Sequence, residues 1–230
     1  MLNAMSRRAF VYAGLTGVGS LLAGAAFGAQ ESASREPGEE EVAPNEDLMR
    51  EHGVLRRLLL VYEEVSRRAA AGILTQVQLA SASGLIRRFI ENYHEKLEED
   101  YVFPVFEKAG RLTDLTSVLR TQHKAGRVIT DRLQSPTTSE KVSAQDCQQV
   151  GLLIARFTRL YRPHAAREDT VLFPQFPRVA GQGRYREFGE VFEDKEHELF
   201  GQAGFEGVVA QVESIEKELG IYDLAQFTPK

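Results

Sequence analysis

The spacing of apolar residues predicts helices along the whole chain from Asn45 onward. Apolar positions recur every three or four residues, and the alternating runs and Asn-Gly turns of β-hairpins are missing. The pattern predicts five helices, at about 46–71, 76–108, 112–133, 142–176 and 185–219. Glycine and proline between these segments end each helix before the next begins.

The connections between the predicted helices are short, and this decides the expected architecture. Long helices joined by short connections pack as antiparallel neighbours. We therefore expect an all-α fold, in which residues 46–178 form an up-down-up-down four-helix bundle. Residues 179–230 would add a C-terminal helix and tail that pack on this bundle.

The first 45 residues have a different pattern. Arg7 and Arg8 precede Phe10, and an uncharged stretch runs from there to Ala29. This arrangement resembles a twin-arginine export signal, so residues 1–29 are interpreted as a signal peptide. The expected partner is the twin-arginine export machinery, and the expected location is periplasmic or otherwise extracytoplasmic. An uncleaved segment would instead anchor the protein in the membrane. Residues 30–45 are expected to form an acidic disordered linker.

Composition narrows the possible functions. The net charge is -5 and the pI is about 5.7, which gives no basic field for nucleic acid. The single cysteine, Cys147, rules out an intramolecular disulfide and a cysteine-based metal cluster. A metal in this chain must be held by histidine and carboxylate side chains.

Two segments of the sequence are similar to each other. "HEKLEEDYVFPVF" begins at His94 and "HAAREDTVLFPQF" begins at His164, an offset of 70 residues. His52 precedes His94 by 42 residues, and His123 precedes His164 by 41. The chain is therefore interpreted as two copies of one helical hairpin, and each copy supplies a His followed by a His-x-x-x-Glu.

This repeat suggests a metal centre. Residues four apart share a helix face, so His94 with Glu98 and His164 with Glu168 would each present an imidazole and a carboxylate. Carboxylates are costly to bury without counter-charge. Imidazole and carboxylate without thiolate suit iron, manganese or zinc. We expect two metals bridged by the two glutamates and by one solvent-derived oxo or hydroxo group.

Other residues of the two repeated segments are not expected to bind a metal. Glu99 and Asp169 lie about 100° around the helix from the ligand face and are expected to be solvated. The aromatic residues of the repeat are expected to be core residues, some of which wall the site: Phe103, Phe106, Phe173 and Phe176.

The order of these ligand-type residues, with the Phe-Pro after each pair, resembles the hemerythrin-like family of His-His-Glu cation-binding domains. The resemblance covers about residues 46–176. It implies a non-haem centre of two iron ions, in which His52 and His94 serve one iron and His123 and His164 the other. It also implies that Glu98 and Glu168 bridge the irons. The implied partners are small diatomic molecules or peroxide.

The sequence departs from the family pattern on the third helix. Oxygen-carrying hemerythrins have a His-x-x-x-His pair there, whereas His123 is followed four residues later by Arg127. His197 is a tentative replacement ligand if the C-terminal helix covers the open end of the bundle, and Glu193 shares its helix face.

Three further residues are candidates for shaping the site. Tyr93 and Tyr161 are candidates for a phenol near the metals. Pro163, directly before His164, is expected to bend the fourth helix.

Two classes of function remain open at this point. A binding module or sensor would hold O2 or NO reversibly, while an enzyme would reduce peroxide, NO or O2 with electrons from a redox partner that the sequence does not identify. Coordination by His197 would favour the binding module. Iron storage and a metal-free structural bundle are the weaker alternatives. The ferritin-like Glu-x-x-His pattern occurs only once, at Glu91 and His94.

Overall fold

A computed structural model describes residues 42–135 and 143–229, and these residues form helices and short connections without any strand. The predicted signal peptide and the linker up to residue 41 lie outside the described residues. Among the described helices, none combines the length and apolar character needed to cross a membrane.

The first four predicted helices are present, with bounds that differ by a few residues. Helix α1 is Pro44–Ala70, α2 comprises residues 76–108, α3 is Thr113–Gln134 and α4 comprises residues 144–180. Pro44 occupies the first turn of α1, where its missing N–H costs no hydrogen bond. Ser143 and Asp146 form a reciprocal capping box that starts α4.

The four helices enclose a single apolar core. Helix α1 packs against α2 and α4, and α3 packs against the same two helices. Every helix therefore has two neighbours within this group, so a broad arc of each one is buried. The largest fully buried side chains are aromatic: Tyr62, Tyr93, Tyr161, Phe89, Phe103, Phe106, Phe157, Phe173, Phe176 and Phe192.

Helices α2 and α4 contain π-helical segments in which hydrogen bonds span five residues. In α2 these are Ile86–His94 and Glu98–Val102, and in α4 the segment is Glu168–Leu172. The Phe103 N–H donates to the carbonyl of Glu98, and the Phe173 N–H donates to that of Glu168. Both helices thus contain a π-turn, with one extra residue, directly after the glutamate. π-turns within α-helices are often found at functional sites.

Pro163 lies inside the uninterrupted α-helical part of α4, Ala144–Arg167. The α-helix continues for four more residues beyond this proline and gives way to the π segment only at Glu168. The proline therefore does not end the helix that carries His164.

The predicted helix at 185–219 is divided into two helices, α5 (Gln182–Phe200) and α6 (Gly204–Leu219). The chain reverses at Gly201, with φ 64° and ψ -160°, a conformation that only glycine adopts readily. The hairpin of α5 and α6 packs on α1 and α2. Arg57 of α1 forms a two-bond ion pair with Glu216, and Arg68 donates to the carbonyl of Leu219.

Candidate metal centre

Four buried histidines, one from each helix of the four-helix group, meet in the core. On α1, His52 shares a face with Leu48, Leu55 and Leu59, all of which are buried. The apolar stripe that forms the core therefore carries the imidazole inward. His94, His123 and His164 are buried to the same degree on α2, α3 and α4.

The imidazoles form two pairs whose Nε2 atoms face each other. His52 Nε2 lies 3.0 Å from His94 Nε2, and His123 Nε2 lies 3.2 Å from His164 Nε2. Each pair joins the two helices of one sequence repeat. We call His52 and His94 the first pair, and His123 and His164 the second pair.

The glutamate of each repeat, Glu98 or Glu168, lies between the two pairs. Glu98 Oε2 is 3.8 Å from His94 Nε2 and 3.4 Å from His123 Nε2. Glu168 Oε2 is 3.4 Å from His52 Nε2 and 3.0 Å from His164 Nε2. Both carboxylates therefore contact one imidazole of each pair.

The two glutamates have the chemistry of a site that holds cations. Both are fully buried, and none of their carboxylate oxygens forms a hydrogen bond of normal geometry with a donor in the described part of the chain. Burial, then repulsion from Glu168, raises the pKa of Glu98 well above its usual range. Burial would also raise the pKa of Glu168, but the imidazoles of His164 and His52 hold it well below its usual range. A divalent cation would supply the counter-charge that both carboxylates need, so the residues fit a metal.

The outer nitrogen of every imidazole has its own acceptor. In each case Nδ1 donates outward, which leaves Nε2 facing the centre, where it could bind a metal. The acceptors are Asp169 for His52 (2.6 Å), Glu51 for His94 (2.7 Å), Glu99 for His123 (3.1 Å) and Gln122 for His164 (2.9 Å).

The expectation that Glu99 and Asp169 are solvated is wrong. Each faces the neighbouring helix, because a bundle helix is buried on two sides, and each is held there by an arginine. Arg127 Nη1 lies 2.9 Å from Glu99 Oε1, and Arg56 forms an ion pair with Asp169. The sequence contains a second repeat that includes these arginines: "EHGVLR" from Glu51 to Arg56 is similar to "QHKAGR" from Gln122 to Arg127.

Two histidines of the metal-free site have opposite pKa shifts. Burial alone would lower the pKa of His52, but the hydrogen bond to Asp169 and the nearby carboxylate of Glu168 outweigh it and raise the pKa to about 9. Burial dominates at His123 and lowers its pKa to about 4, although Glu99 acts in the other direction. Burial also lowers the pKa of His94. A protonated His52 can donate from Nε2 to the neutral His94, and a metal would displace that proton.

Phenylalanines of the repeat wall the site, as expected. The Phe173 ring stacks on His52 with centroids 5.4 Å apart, and the Phe103 ring stacks on His123 at 5.6 Å. Both rings are fully buried. Each Phe-Pro after a glutamate therefore shields one imidazole from solvent.

The two tyrosines are buried, but their hydroxyls bind other carboxylates. Tyr161 donates to Glu95 Oε1 at 2.5 Å while its ring edge meets His164, with centroids 5.4 Å apart. Glu95 also forms an ion pair with Arg127 at 2.8 Å. Arg127 stands four residues after His123, where oxygen-carrying hemerythrins have a histidine, so Glu95 connects this arginine to Tyr161. Tyr93 donates to Glu196 Oε2 at 3.4 Å.

His197 lies outside the centre, which corrects its tentative assignment as a ligand. Its side chain is exposed on α5, and it belongs to none of the groups of ligand-type atoms that the described residues bring together. Glu196, the residue directly before His197, is buried instead. Its Oε1 accepts from the Phe205 N–H and ties α5 to α6. Glu193 is half-buried and also lies outside these groups.

Comparisons with known proteins agree with this geometry. The hemerythrin HHE cation binding domain matches residues 43–176. Uncharacterized proteins of Mycobacterium bovis and Mycobacterium tuberculosis are 52% identical over 190 residues, which is 82% of this chain and 74% of each relative. No solved structure matches the chain. The matched region contains all six converging residues, and the chain belongs to the hemerythrin HHE cation-binding family.

Proposed function

We propose that the protein is a non-haem di-iron oxidoreductase that reduces a small oxidant, either peroxide, NO or O2, with electrons from an external electron donor. One observation carries the proposal: each of two buried carboxylates lies between imidazoles of different pairs. That arrangement suits two metal ions that share Glu98 and Glu168. An up-down-up-down order of α1 to α4 is part of the proposal.

Iron is the metal that this chemistry favours. The ligand atoms are nitrogen and oxygen without sulfur, which suits iron, manganese or zinc, and the reduction of an oxidant requires a metal that changes oxidation state. Bound iron would supply that redox chemistry. The chain's own residues hold the imidazoles by Nδ1 and exclude water with Phe103 and Phe173.

The number of ligands favours reduction over reversible binding. Two imidazoles, two carboxylate oxygens and one solvent-derived bridge would give each metal about five ligands, so an octahedral ion would keep one open position. A third imidazole is absent, because Arg127 replaces one on α3 and His197 is exposed. Both metals thus retain a position for an oxidant.

Reversible binding or sensing of O2 or NO is the second candidate. The observation in its favour is burial, because the six converging residues are at most 3% exposed. A closed site of this kind limits access by larger reductants and protects a bound diatomic molecule.

The location is also part of the proposal. The paired arginines and the uncharged stretch before Ala29 support export by the twin-arginine machinery to a periplasmic or extracytoplasmic compartment. This route is associated with proteins that fold before transport, often around a cofactor. A di-iron centre that is loaded in the cytosol fits that association.

The test is an anaerobic iron titration followed by exposure to each oxidant. We expect two irons per chain, a charge-transfer band on oxidation, and consumption of oxidant over repeated cycles of reduction. A band that reverses on degassing would establish the binding module instead. A Glu98→Gln, Glu168→Gln double variant is the control and should give no band.

A further inference from the structure

The two halves of the site differ in one direct hydrogen-bond acceptor, and this difference concerns the proposed pair of metals. In each half, one imidazole donates to a carboxylate that an arginine holds: His52 to Asp169 with Arg56, and His123 to Glu99 with Arg127. These two arrangements correspond residue by residue, so each pair receives one carboxylate acceptor in this way.

The remaining two imidazoles are not equivalent. His94 donates to the carboxylate of Glu51 at 2.7 Å, whereas His164 donates to the amide of Gln122 at 2.9 Å. Glu51 and Gln122 occupy the same position of the repeat, directly before His52 and His123. Glu95 does not balance the difference, because its oxygens are held by Tyr161 and Arg127 and it lies 4.0 Å from His123 Nδ1.

A charged acceptor strengthens an imidazole as a ligand more than an amide does. A carboxylate behind the Nδ1–H draws the proton outward and leaves more electron density on Nε2. The first pair has two such acceptors, Asp169 and Glu51, while the second pair has one carboxylate and one neutral amide. Ligand basicity is therefore greater in the first pair.

We propose that the two metal positions are unequal, with the first pair binding its ion more tightly and the second pair losing its ion first. The proposal rests on the two-metal function above. Loss of a carboxylate acceptor behind a ligand histidine costs about 10- to 100-fold in metal affinity. The affinities of the two positions should therefore differ by at least about tenfold.

The test is a calorimetric titration of the metal-free full chain with Co²⁺. The wild type should show two steps, of which His94→Ala removes the tighter and His164→Ala the weaker. Gln122→Glu should tighten the weaker step about tenfold, and Glu51→Gln should weaken the tighter step by a similar factor. Gln148→Glu, which adds the same charge at an exposed position of α4, is the matched control and should leave both steps unchanged.

The outcomes separate this inference from the proposed function. Two steps that Gln122→Glu and Glu51→Gln both leave unchanged would overturn the inequality while the two-metal centre stands. The same holds if His164→Ala removes the tighter step. If the wild type binds fewer than two ions, or if both alanine variants titrate like the wild type, the two-metal function itself fails. If Gln122→Glu does not fold, Glu51→Gln decides the inequality alone.

Discussion

The first and second halves of the site share their inward-facing residues but differ in the layer behind them. Both halves supply two imidazoles and one glutamate at matching positions, and a phenylalanine covers one imidazole in each. Behind that layer, Leu55 corresponds to Gly126, and Glu91 corresponds to Tyr161. The two halves therefore match in the atoms that face the centre and differ in the residues behind them, which gives the halves different electrostatics.

Glu98 and Glu168 should give the largest difference in unfolding free energy between two similar substitutions. Glu168 is charged and paired with two imidazoles, so Glu168→Gln should destabilise the metal-free protein by about 3–5 kcal/mol, as for a broken buried pair. Burial and repulsion from Glu168 raise the pKa of Glu98, so a neutral side chain disturbs this position less and Glu98→Gln should cost less than about 1 kcal/mol. Urea unfolding of both metal-free variants measures the difference, and equal losses would contradict it.

The metal-linked stability should disappear in both of these variants. With free metal at about 1,000 times its Kd, binding adds about 4 kcal/mol to the wild type, which is on the order of 10 °C in Tm for a domain of this size. Thermal scans with and without Fe²⁺ under anaerobic conditions check this, and either variant keeping the full gain would exclude its glutamate as a bridge.

The opposite pKa shifts of His52 and His123 predict opposite pH effects on the metal-free protein. The pKa of His52 is raised to about 9, so its contribution, of order 3 kcal/mol, is complete below about pH 6.5. That contribution is lost as pH rises to 9. The pKa of His123 is lowered to about 4, so its folded neutral form costs stability as pH falls from about 6.5 to 4.

An NMR titration of the ring protons measures both values directly. Asp169→Asn should move the midpoint of His52 downward and leave His123 near 4, because Asp169 contacts His52 and Arg56 but not His123. Coincident midpoints for the two histidines in the wild type would show that His52 and His123 do not lie in electrostatically different surroundings.

Substitution by alanine should have opposite effects on stability at Gly126 in the second half and at Gly53 in the first half. A methyl group at Gly126 would collide with the Tyr161 hydroxyl, so Gly126→Ala should destabilise by about 1–3 kcal/mol. At Gly53 in α1 an added Cβ meets nothing within 4 Å, so Gly53→Ala should stabilise by about 0.5–1 kcal/mol. Chemical denaturation of the two variants tests both signs, and a stabilising Gly126→Ala would show that Tyr161 moves freely.

The smallest expected effect is at His197. Because its side chain is exposed on α5, His197→Ala should change neither the metal stoichiometry nor the stability by more than about 0.5 kcal/mol. Metal analysis and a thermal scan suffice. Loss of one metal in this variant would restore His197 as a ligand and favour reversible binding.

Much of the site could be predicted from the sequence because its inner residues repeat at fixed spacing. The convergence of the four histidines with Glu98 and Glu168 followed from helix periodicity. The solvation of Glu99 and Asp169 is predicted wrongly because a side chain 100° from the buried face of an isolated helix points to solvent. In a bundle, a side chain at that angle points to the neighbouring helix. The reversal at Gly201 was missed because the helical pattern continues on both sides of it.

The π-turns after Glu98 and Glu168 have a consequence for protein engineering. Each turn inserts one residue relative to a regular α-helix, so the residues on either side are out of phase with any ideal helical template. A designer who copied the histidines and glutamates onto straight helices would turn the following Phe-Pro by about 100° and uncover the imidazoles that Phe103 and Phe173 now shield. The transferable unit is thus the ligand pair together with its extra residue.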